Sequence, residues 1–90
     1  MPLAEACKAL LAKQGINPAS TIEYDVNGEV HVLTLAQIIE SYMQASPEAQ
    51  RTFTQALKLS LGKGPAGVQS YFEKMGQLLL MTSMGEGTGL

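Results

Sequence analysis

Residues 21–33, Thr-Ile-Glu-Tyr-Asp-Val-Asn-Gly-Glu-Val-His-Val-Leu, decide the fold. Ile22, Tyr24 and Val26 alternate with polar residues, as do Val30 and Val32 beyond an Asn27-Gly28 pair. A period of two interrupted by turn residues predicts a β-hairpin. Two loops compete for it. A two-residue Asn27-Gly28 loop sets Val26 opposite Glu29 and Tyr24 opposite His31, apolar against polar. A three-residue loop, with a type I turn from Asp25 to Gly28 and Gly28 left-handed in a bulge, pairs Tyr24 with Val30 and Ile22 with Val32. It makes one face wholly apolar and sets Glu23 across from His31 on the other. Asp at the first turn position and Gly at the fourth also suit a type I turn. The three-residue loop is therefore the expected register, because a slip of one residue turns the apolar set to solvent.

Immediately after the hairpin, Thr34-Leu35-Ala36-Gln37 matches a capping box and opens a helix. Leu35, Ile38, Ile39, Tyr42 and Met43 recur at the spacing of one helical face, leaving Gln37, Glu40, Ser41 and Gln44 outside. Ser46-Pro47-Glu48 supplies an N-cap, a proline at the first helical position and an acid in the first turn. A tight turn near Ala45 thus leads into another helix. Its inner stripe is Phe53, Ala56, Leu57, Ser60 and Leu61, with Gln50, Arg51, Thr54, Gln55 and Lys58 facing outward.

Gly62-Lys63-Gly64-Pro65 ends that helix and starts the last one. Val68, Tyr71, Phe72, Met75, Leu79 and Thr82 form its stripe, but Leu78, Leu80 and Met81 spread apolar surface around its final turns. Gly76 in mid-helix, about 1 kcal/mol worse than alanine, marks a break or the close approach of another backbone. On the other side of the hairpin, Leu3–Lys13 reads as a helix with the stripe Leu3, Ala6, Cys7, Leu10 and Leu11, closed by Gly15. Asn17-Pro18 then extends the chain toward the hairpin.

The expected architecture is α+β: a small, mostly helical single domain with one antiparallel β-hairpin, in the order α-β-β-α-α-α. It spans residues 1–84, with a flexible glycine-rich tail at 85–90. Ninety residues bury a real but thin core. A net charge of −2 and a pI near 5.2 provide no basic surplus to attract phosphate backbones. No apolar run approaches the roughly 20 residues that cross a bilayer. The acid at Glu5, with Lys8 and Lys13 breaking the apolar stretch, reads as lacking a secretion signal. One cysteine and one histidine exclude an internal disulfide and leave a structural zinc site short of ligands. A cytoplasmic protein without metal or cofactor is expected.

Cys7 and His31 are the only conceivable nucleophilic pair, and both have plainer roles, as a small core residue and a solvated strand residue. Gly62-Lys63-Gly64-Pro65-Ala66-Gly67 holds the ingredients of an anion cradle. It lacks the Lys-Ser or Lys-Thr after the last glycine, and the preceding strand, that a P-loop requires. The sequence thus points away from an enzyme. A helix-turn-helix use of the second and third helices would present Gln50, Arg51, Thr54, Gln55 and Lys58 to nucleic acid, against the acidic balance and Glu48 at the helix start. The apolar surplus at Leu78, Leu80, Met81 and Met84, with the unpaired hairpin edges, points instead to a protein–protein interaction or adaptor module that homodimerises through the last helix, the hairpin edge, or both.

Overall fold

The computed structural model describes the backbone of residues 2–89 and the side chains of residues 2–82. The order is α1 (Leu3–Lys13), β1 (Thr21–Val26), β2 (Glu29–Thr34), α2 (Leu35–Met43), α3 (Pro47–Gly62) and α4 (Pro65–Gly89). It is the α-β-β-α-α-α arrangement expected, four helices with one antiparallel two-stranded sheet. Helix α4 is continuous to Gly89 and takes in most of the glycine-rich stretch read above as a tail. Met84 lies outside the residues whose side chains are described.

The hairpin corrects the expected register. Val26 pairs with Glu29, Tyr24 with His31 and Ile22 with Leu33, so the loop is the two-residue Asn27-Gly28. Asn27 at φ 55° and Gly28 at φ 85° are both left-handed, as a type I′ turn requires, and that turn's twist matches the strands it joins. Asp25 supports it by accepting the Gly28 amide at 3.0 Å on Oδ1. No wholly apolar face is needed, because the core draws mainly on β1: Ile22 and Tyr24 are buried, while β2 contributes only the half-buried Leu33. Val30 and Val32, expected inside, stand on the outer face at 64% and 53% exposure. Glu23 faces Val32 across the ladder, not His31.

Helix α2 starts with its orphan amides accounted for. The Leu35 and Ala36 amides donate to the Ser20 and Pro18 carbonyls, and Gln37 donates to Thr34 Oγ1 at 3.0 Å. Gln37 Oε1 in turn accepts the Thr34 amide at 2.8 Å, which completes the capping box. Ser46 Oγ caps α3 by accepting the Ala49 amide. The inner stripes meet in one core of Cys7, Leu11, Ile22, Tyr24, Leu35, Ile38, Ile39, Phe53, Leu57, Leu61, Val68 and Phe72.

Phe53 sits at its centre, stacked on Tyr42 with ring centroids 4.9 Å apart and edge-on to Phe72 at 6.1 Å. Each tyrosine that buries its ring finds a backbone acceptor for its hydroxyl, as a buried phenol must. Tyr42 donates to the Met75 carbonyl at 2.8 Å, Tyr71 to Phe53 at 3.2 Å and Tyr24 to Phe72 at 2.8 Å. These bonds fasten α2, α3 and β1 to α4. Gly76 explains itself at the same place. A Cβ there would overlap the Tyr24 hydroxyl and lie 3.0 Å from Ile38 Cδ1. The close approach is made by a tyrosine ring rather than a backbone, and the helix does not break.

Candidate interaction surfaces

Two faces of the described structure hold clustered apolar side chains in the open. On α4, Leu78 is 45% and Met81 56% exposed, one turn apart. Leu80, read from sequence as part of the same patch, is half-buried against the core with Leu79. Met84 is not among the described side chains. On the hairpin, Val30 and Val32 share the outer face with Glu23, Asp25, Thr21 and Thr34. Their exposure was not anticipated. The signal was in the sequence nonetheless: Asn-Gly between alternating residues is the strongest short-range mark of a two-residue hairpin. Leu59, at 71% the most exposed of the described leucines, is solitary on α3 and needs no explanation of that kind.

The outward face of α3 is less free than its spacing suggests. Gln50 donates through Nε2 to the Met43 carbonyl at 2.7 Å, where it holds the α2–α3 turn. Thr54 bonds the Gln50 carbonyl at 2.8 Å and lies 4.0 Å from the Cys7 thiol, at the seam with α1. Arg51, Gln55 and Lys58 remain exposed. Of five side chains proposed to read bases, two are thus engaged by the protein itself.

Along the same seam runs an apolar groove of about 490 Å³, floored by Leu3, Ala6, Cys7 and Leu10, with Lys13 and Lys58 at its rim. Burial pushes the Cys7 thiol above its ordinary pKa, partly offset by the Thr54 hydroxyl and the Lys58 charge, so it stays protonated and unreactive. His31 does not help it. Its Nε2 is buried without a hydrogen-bond partner, 3.7 Å from Glu29 Oε1 on the same strand. Neither side chain of the conceivable nucleophilic pair hydrogen-bonds the other. No cluster of three or more metal-ligating side chains occurs among the described residues. No helix among them is long and apolar enough to cross a membrane. Tyr24 is pushed up to about 12 by burial, with the Glu73 carboxylate and Tyr42 adding to the shift, so it too is a structural phenol at neutral pH.

No known protein family, curated protein or solved structure matches the chain.

Proposed function

We propose that this chain is a non-enzymatic protein–protein interaction module that forms a homodimer, using the apolar surface of its hairpin, its last helix, or both. The observation that carries the reading is the open placement of Val30, Val32, Leu78 and Met81 in two groups on a domain whose other core-type residues are largely packed. Clustered exposure of this kind marks association surfaces, and a symmetric dimer is the commonest way to cover one. The non-enzymatic part rests on the titratable groups. Cys7 is buried and protonated, and the tyrosines donate to backbone carbonyls, so no described pair forms an activated nucleophile or a tuned acid and base. A cytoplasmic setting belongs to the same proposal and is supported by the lone, buried, free cysteine.

Light scattering tests it. The wild type and a Leu78→Glu/Met81→Glu variant are compared at falling concentration. A dimer mass that gives way to monomer on dilution supports the module. If the double variant shifts the equilibrium toward monomer with its helical circular dichroism unchanged, α4 carries the contact. A monomer at every concentration contradicts the proposal. Retention on nucleic acid that weakens with salt and disappears in Arg51→Ala/Lys58→Ala would favour the α3 face instead.

A further inference from the structure

We infer that the free edge of β2 pairs antiparallel with the same edge of a second copy of this chain, about a two-fold axis passing through His31. The inference rests on the interaction-module reading and assigns its surface. Val26 and Glu29 flank a two-residue turn and so exchange both of their backbone hydrogen bonds, after which bonded and non-bonded pairs alternate. Tyr24–His31 and Ile22–Leu33 are therefore bonded pairs, and Asp25–Val30 and Glu23–Val32 are not. The amides and carbonyls of Val30 and Val32 point away from β1. No turn, loop or cap hydrogen bond among the described residues reaches them, whereas the next outward amide, that of Thr34, is already taken by Gln37. The open edge is thus Val30-His31-Val32, symmetric about its middle residue.

That symmetry selects the occupant. Antiparallel pairing centred on His31 sets Val30 of one copy opposite Val32 of the other, and each such pair exchanges two backbone hydrogen bonds. The side chains agree with the backbone. On the outer face the valines of both copies form one apolar stripe, bordered on each side by Glu23 and Asp25. Beyond the axis Glu29 meets Leu33, so no carboxylates oppose one another. The other edge gives the opposite answer. The outward residues of β1 are Thr21, Glu23 and Asp25, and pairing that strand with itself brings carboxylates together. Pairing β1 of one copy with β2 of the next would bury those carboxylates against valine and grow an open filament. Joining β2 to β2 closes after two copies and turns a hairpin that is marginal alone into a four-stranded sheet.

The register makes a test that no other dimer shares. Residues facing each other across the axis form a non-hydrogen-bonded pair with Cα atoms about 4.5 Å apart, inside the span of a disulfide. His31→Cys in a Cys7→Ala background is therefore expected to give a disulfide-linked dimer in high yield under mild oxidation. Val32→Cys in the same background is not, because two copies of residue 32 lie two positions out of register, roughly 8–9 Å apart. The buried His31 Nε2 has no hydrogen-bond partner among the described residues for the substitution to strand. Val32→Pro is the companion variant: its amide faces the open edge, where proline is tolerated in a strand, and it should abolish the dimer in light scattering while the circular dichroism persists. Should Val32→Pro unfold the chain, the cross-linking pair decides by itself. Failure of His31→Cys to link, in a wild type that does dimerise and that Leu78→Glu/Met81→Glu splits, overturns the β2 register and leaves the module reading standing. A wild type that is monomeric at all concentrations overturns both.

Discussion

The two strands of the hairpin are the same length and lie side by side, yet they are held in opposite ways. β1 is fixed on one face and guarded on the other. Ile22 and Tyr24 are buried, the Tyr24 hydroxyl is tied to α4 and its ring fills the space left by Gly76, while Glu23 and Asp25 face outward. β2 is neither fixed nor guarded to that degree: its outward positions are the bare valines 30 and 32, and its inward His31 leaves a nitrogen unbonded. A charged edge resists pairing with another chain and an apolar one invites it. The difference shows that a strand can be placed by its neighbour's anchoring and so be free to present its own edge.

The largest effect that sharpens this comparison is a matched truncation. Ile22→Ala should cost about 2–5 kcal/mol in chemical unfolding, while Val32→Ala stays within about 0.5 kcal/mol under conditions where the chain is monomeric. Equal losses at the two sites would break the contrast. Gly76→Ala comes next. At an unobstructed helical site the substitution would gain about 1 kcal/mol, but here the added methyl meets Tyr24 and Ile38, and a net destabilisation of about 1–3 kcal/mol is expected.

Tyr24→Phe should cost about 1 kcal/mol by deleting the bond to the Phe72 carbonyl. It also has a pH signature. A free phenol titrates near pH 10, and the fold raises Tyr24 to about 12, so its neutral form is favoured in the native state. Its contribution is complete below about pH 10 and is lost as pH rises through about 12. Alkaline unfolding followed by circular dichroism should therefore be less steep in Tyr24→Phe over that window. The smallest effect on monomer stability, and the most telling on assembly, is Glu23→Val. It unguards the β1 edge and should produce species larger than a dimer in sedimentation velocity, with little change in the unfolding midpoint.

Much of this was legible from residue spacing. Helix α2 agreed at every level, because its capping box, its apolar stripe and its loop before Pro47 all pointed to the same boundaries. The hairpin's existence was equally plain. Its register was not, since face matching and turn chemistry disagreed there, and the face argument assumed that both strands supply the core. The core needs only Ile22 and Tyr24, so the Asn-Gly turn chose the register unopposed. Gly76 could be flagged but not explained, because the residue that occupies its space lies 52 positions earlier, on β1. The α3 face was overcounted for a similar reason: spacing shows which way Gln50 and Thr54 point but not that the α2–α3 turn and α1 come to meet them. On α4, Leu78 and Met81 stand exposed, while Leu80, which the spacing alone groups with them, is half-buried against the core.

The central claim is that β2 offers an edge made to pair with itself, and the most direct measurement is the oxidative cross-linking of His31→Cys beside Val32→Cys, each in the Cys7→Ala background. The account predicts a covalent species of twice the 9.6 kDa chain from the first and little from the second. Equal yields from both, or none from His31→Cys at concentrations where the wild type is dimeric, would contradict it.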